Sequence, residues 1–164
     1  MIIVKKNGYL KYKNFKFRCS LGKGGAKEKN KEGDKVTPTG TYRILNIYYR
    51  QDRVKKIKTS VKKIKIDKKM GWCNDIRSQY YNKLIKLPSK HNYEALYRKD
   101  NLYDIVVVIN YNINPIIKNK GSAIFIHISK KNYKATAGCI ALNRQNLIEL
   151  LENIPTKTKV KIDC

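Results

Sequence analysis

Ser122-Ala123-Ile124-Phe125-Ile126-His127-Ile128 is a short apolar run with one histidine near its end. Its length is that of a strand, and apolar side chains at successive positions call for burial on both faces. A histidine in such a run needs a polar partner, because an unpaired ring in an apolar surround costs free energy. Asp104-Ile105-Val106-Val107-Val108-Ile109 has the same character upstream. The two segments predict the centre of a sheet with material packed on each side.

Twelve residues beyond His127 stands Cys139, in Thr136-Ala137-Gly138-Cys139-Ile140-Ala141-Leu142. A glycine before the cysteine leaves backbone N–H groups accessible, and these are the donors an oxyanion hole needs. A nearby imidazole and many lysines predict a thiol pKa lowered toward the thiolate. The chemistry read from this is a Cys139 nucleophile with His127 handling the proton. The alternative, a small buried hydrophobe, stays open on spacing alone. Beyond the cysteine, Asn143 is a good N-cap for a helix carrying Leu147, Leu150, Leu151 and Ile154 on one face. Pro155 ends it, and Lys159-Val160-Lys161-Ile162 reads as a closing strand.

Working toward the N-terminus, Thr37-Pro38-Thr39-Gly40 is rigid turn chemistry ahead of a strand from Tyr42 to Tyr49. Asn7-Gly8 predicts a type I′ hairpin joining Ile2–Lys6 to Tyr9–Tyr12, and Lys13-Asn14 turns into Phe15–Cys19. Residues 22–34 read as a long polar loop. Lys55–Lys69 reads as an exposed edge strand whose lysines discourage aggregation. Trp72 to Pro88 has no clean period and is expected as loop with short helical turns. No linker or repeat interrupts the 164 residues, so the chain is taken as one mostly-β domain, 1–164, with a helix after the cysteine.

Charge narrows the partners. Lys+Arg number 37 against 12 Asp+Glu, a formal +25, which predicts attraction to anionic polymers. The richness in Lys, Asn, Ile and Tyr is also what an AT-rich genome would encode. Lysine dominates over arginine, against the bidentate forks that sequence-specific nucleic-acid readout favours. No apolar run reaches the roughly 20 residues that span a bilayer. The start lacks signal-peptide features, so either the chain is cytosolic as written or an export signal lies outside it.

The Gly22-Lys23-Gly24-Gly25 loop matches neither phosphate-binding fingerprint. Zinc at Cys73, His91, His127 and Cys139 fits no finger or ribbon spacing, so no metal or cofactor is expected. Four cysteines, Cys19, Cys73, Cys139 and Cys164, lie far apart. Pairing of Cys19 with Cys73 is left open. Asp104 reads as a turn cap and Trp72 as a core or interface residue.

Four blocks in order, Gly33–Tyr42, Gly71–Asp75, Gly121–His127 and Thr136–Leu142, resemble the L,D-transpeptidase catalytic domain of YkuD type over about Cys19 to Leu151. The resemblance implies a β-sandwich-type domain with cysteine and histidine in a surface groove. It implies Cys139 as nucleophile, His127 as its histidine, Gly138 and Thr136 as oxyanion and support residues, and Trp72, Asn74 and Asp75 as groove residues. It further implies peptidoglycan stem peptides as substrate, thioacyl transfer to an amine (a 3→3 cross-link) or to water, and a periplasmic or cell-wall setting. An anionic wall polymer would then draw the basic chain. Ile128 stands where members carry glycine and Ala141 where they carry arginine, and the His127–Cys139 gap is short. The chain resembles a divergent branch.

Overall fold

β-branched and aromatic runs suit the pleated surface of a sheet, and the computed structural model, which describes residues 1–163, turns them into strands. In chain order these are β1 (Ile2–Lys5), β2 (Tyr9–Tyr12), β3 (Phe15–Ser20), β4 (Ala26–Lys27), β5 (Thr37–Pro38), β6 (Gly40–Tyr49) and β7 (Lys63–Lys65). There follow β8 (Met70–Cys73), β9 (Leu84–Lys86), β10 (Tyr93–Ala95), β11 (Ile105–Ile109), β12 (Phe125–Ile128) and β13 (Ile140–Leu142). Helix α1 (Arg144–Asn153) and β14 (Lys159–Ile162) complete the chain. The fold is mostly β with one α-helix, and Cys164 lies outside the described residues.

The main sheet runs β11-β12-β13-β3-β2-β1-β14-β6-β7, and β6 also pairs with β11. Ten residues long, β6 serves both ends: Gly40–Arg43 pair with β14 and Ile44–Tyr49 with β11. The sheet thereby closes on itself around one core. Ile2, Leu10, Ile47, Ile105, Val107, Ile126, Ile128 and Leu142 fill it, covered by Leu147, Leu150 and Leu151 of α1. Asn143 caps α1 by accepting from the Asn146 N–H, as the sequence predicts.

Alternation of side chains along a strand sends odd and even residues to opposite faces. On β11, Ile105, Val107 and Ile109 enter the closed core, while Val106 and Val108 join a second cluster with Trp72, Leu96, Tyr103, Phe125 and Cys139. Both faces of β11 and β12 are therefore buried, as their unbroken apolar runs require. The cover on the second face is a small sheet, β10-β8-β9. The expectation of loop with helical turns over 72–88 is thus corrected. Each of these strands is three or four residues long, too short to show a period.

Three local expectations also change. The first hairpin is a three-residue turn in which Gly8 alone takes positive φ, at 80°, so it is not type I′. Within Lys55–Lys69 only Lys63–Lys65 is a strand, though it does sit at the sheet edge, beside β6. The polar loop 22–34 contains β4, paired in parallel with β5. Cys19 and Cys73 are both free and buried, so no bridge joins them.

Candidate active site

His127 lies on β12 in register with Val106 and with Ala141 of β13. The odd phase of β12 turns it away from the closed core, toward Tyr103, whose ring meets it edge-on at 5.2 Å between centroids. Its Nδ1 lies 2.8 Å from the Ile128 carbonyl oxygen. A carbonyl only accepts, so Nδ1 carries the proton and Nε2 keeps its lone pair. Burial, at 6% exposure, pushes the imidazole down to about 4 despite that hydrogen bond. The ring is neutral near pH 7.

Cys139 reaches the same space from the turn before β13. Its Sγ donates to the Ala123 carbonyl at 3.1 Å and accepts from the Phe125 N–H at 3.4 Å. The thiol is thus docked on the entry to β12, and no hydrogen bond joins it to His127. Burial, and then the Glu94 carboxylate, push the thiol up to about 12, against the Phe125 N–H and the Lys29 ammonium. The lowered pKa expected from the lysine count is overturned, because desolvation inside the site outweighs charge that sits largely at the surface.

Thr136 organises the turn. Its Oγ1 donates to the Cys139 carbonyl at 2.6 Å and accepts from the Gly138 N–H at 3.1 Å. The Gly138 N–H is consequently occupied, which corrects its expected availability to an oxyanion. The Cys139 N–H has no acceptor among the described residues. Gly138 has φ 138°, and a Cβ there would stand 2.9 Å from the Val36 carbonyl oxygen. Thr136 is tied by backbone bonds to Leu21 and Lys23. Thr37, from the Thr-Pro turn, accepts the Gly22 N–H at 2.7 Å. That turn supports the cysteine segment from below.

His127 and Cys139 open into one cleft of about 620 Å³. Of the three groove candidates, Asn74 lines it. Trp72 does not: it packs edge-on against Phe125 and donates from Nε1 to Asn82 Oδ1. Asp75 is a turn carboxylate that accepts from the Arg77 and Asn92 N–H groups and faces His91. Asp104 is no cap either; buried, it holds both Arg53 and Arg144. No group of three or more His, Cys, Asp or Glu side chains converges as a metal site among the described residues.

Sequence reading missed four residues here. Lys29, buried against Asp34, and Glu32, which accepts from Tyr81 and Ser122, come from the polar loop. Glu94 and Tyr103 come from the cover over β11, with the Tyr103 hydroxyl donating to Glu94 Oε1 at 2.5 Å. Only charge in an otherwise turn-like loop hinted at the first two; nothing local marked the second two.

The model of the L,D-transpeptidase catalytic domain, YkuD, matches residues 1–162. The chain belongs to this family. The match extends past the motif blocks at both ends. Among solved structures the chain is similar to an L,D-transpeptidase from Mycobacterium smegmatis, at 10% identity and TM-score 0.46, covering 99% of this chain and 58% of that one. It is also similar to L,D-transpeptidase 1 of Mycobacterium tuberculosis, at 11% identity and TM-score 0.44, covering 99% and 59%. The chain thus spans less than two thirds of the length of either. No curated protein matches it in sequence.

Proposed function

We propose that this L,D-transpeptidase-family domain, taken as residues 1–164, forms a thioacyl-enzyme on Cys139 with a peptidoglycan stem tetrapeptide and passes the acyl group to an amine. The observation that carries the reading is that a thiol and the lone-pair nitrogen of a neutral imidazole belong to one cleft large enough for a peptide.

The chemistry follows from the ground state. Thiol and imidazole are both neutral, so attack on the carbonyl proceeds as the Sγ proton leaves the Ala123 carbonyl and passes to His127 Nε2. A C–S bond forms, and the Cys139 N–H, unengaged in the chain, donates to the developing oxyanion. His127 returns the proton to the departing D-alanine nitrogen as the C–N bond breaks. An acceptor amine then resolves the thioester, and water in its place gives a carboxypeptidase. Lys29, Lys35, Lys130 and Lys134 line the cleft and favour anionic stem peptides, the overall +25 favours an anionic wall polymer, and the family favours a periplasmic or wall-associated setting.

Incubation with a carbapenem, followed by intact mass and peptide mapping, tests the reading. An adduct on Cys139, absent in Cys139→Ala and slowed in His127→Ala, is expected. With the two pKa values driven apart, adduct formation should be flat across neutral pH and fall only toward pH 4, where His127 protonates. No adduct on folded protein overturns the proposal in favour of a non-catalytic basic module that binds an anionic polymer. Muropeptide products then assign the acceptor: dimers mean transfer, tripeptides alone mean hydrolysis.

A further inference from the structure

Glu94 is a half-buried carboxylate on the wall of the cleft. Cations outnumber acids by 37 to 12, yet none lies within ion-pair distance of it among the described residues. The cation whose charge acts on it, Arg98, is hydrogen-bonded elsewhere: its Nε and Nη2 bind both oxygens of Asp100 at 2.9 and 2.7 Å, and its guanidinium lies over the Tyr103 ring. The partner Glu94 does have is the Tyr103 hydroxyl.

Tyr103 in turn sits where the chemistry is. Its ring contacts His127 and Phe125 edge-on, and both it and Glu94 line the cleft beside Cys139. Because its O–H is committed to Glu94, the lone pairs of Oη are what it offers to a molecule in the cleft. An oxygen that accepts and can pass its own proton to a carboxylate is a relay. Burial, and more weakly Glu32 nearby, raise the Glu94 carboxyl above its ordinary value, while the Tyr103 hydrogen bond and the Arg98 charge oppose them. Its proton affinity is thereby increased.

We propose that Tyr103 and Glu94 form a proton relay for the incoming amine in the step that resolves the thioester. This rests on the thioacyl reading above and adds a second proton path to that of His127. The acceptor enters as a neutral amine. As its nitrogen bonds to the acyl carbon, an N–H proton passes to Tyr103 Oη and the Tyr103 proton passes to Glu94 Oε1. The C–S bond then breaks, and the Cys139 thiolate leaves. The relay returns the proton to the thiolate, restoring carboxylate, phenol and thiol. Tyr103 touches the amine; Glu94 acts through it as a positioning residue.

The test separates the two half-reactions. Carbapenem adduct formation reads acylation, and dimer formation from a soluble stem tetrapeptide, donor and acceptor at once, reads transfer. Glu94→Gln removes a negative charge that holds the thiol proton, so acylation should rise by a few-fold, while transfer falls about a hundredfold, the low side of a lost general base. Tyr103→Phe should cut transfer to a similar extent, and the double variant should fall no further. Glu94→Asp, which keeps a carboxylate, should recover part of the transfer. A Glu94→Gln protein that loses acylation and transfer in parallel, or keeps transfer within twofold, overturns the relay alone. A wild-type protein that acylates but yields tripeptide only also overturns it, because no amine is being served. No wild-type adduct removes the thioacyl reading itself.

Discussion

Acid should unfold this protein through His127 before most carboxylates titrate. The imidazole stands at about 4 in the folded chain against an ordinary 6.5, chiefly because burial disfavours its charged form. Between those values the unfolded chain binds a proton that the folded chain refuses. The contribution is therefore fully present above pH 6.5 and is lost as pH falls to 4. At roughly 1.4 kcal/mol per pH unit the whole window is worth about 3–4 kcal/mol, a large share of a typical domain's roughly 5–15 kcal/mol.

Urea unfolding at pH 7, 5.5 and 4.5, at constant salt, measures this loss. Trp72, the single tryptophan, is buried against Phe125 and reports the transition by fluorescence. His127→Asn is the comparison, since its amide keeps an N–H for the Ile128 carbonyl and does not titrate. That variant should be less stable at pH 7 but lose less stability toward pH 4.5. Glu94 works in the opposite sense, because its raised carboxyl binds protons in the folded state first. Self-repulsion of the +25 chain adds a loss of its own. Both effects are common to the two proteins, so the difference isolates the imidazole. Parallel pH dependence in wild type and variant would refute a buried, neutral His127.

Two further substitutions probe the scaffold. Gly138→Ala forces a side chain onto φ 138° and into the Val36 carbonyl, and should cost about 1–3 kcal/mol in urea unfolding together with slower carbapenem acylation. Asp104→Ala strips the shared partner from Arg53 and Arg144 and should cost about 3 kcal/mol, since one buried carboxylate holds two guanidiniums; acylation by the folded fraction should persist.

The motif blocks were legible because each encodes something local. Gly138 carries a backbone conformation only glycine adopts freely, Thr37-Pro38 a rigid turn, and the β11 and β12 runs a double-sided burial. The groove was less legible. Trp72 and Asp75 share a block with Asn74, yet strand alternation in β8 and a tight turn after it send one into the core and one into local hydrogen bonds. The thiol pKa was misread for a similar reason. Counting lysines gives a net field but not the desolvation of a cysteine that is 8% exposed.

Local residue patterns were enough for most strands of the closed sheet, the capped helix, the family, and a cysteine and histidine on neighbouring segments. Those follow from side-chain periodicity, turn chemistry and short motifs, all confined to a few residues. That residues 66–103 cover the second face of β11 and β12 emerges from the folded chain alone. That packing buries Cys139 and His127 as a neutral pair and brings Glu94 and Tyr103 beside them. Burial and electrostatic coupling depend on what folds over a residue from far along the chain, and no local pattern of residues encodes that.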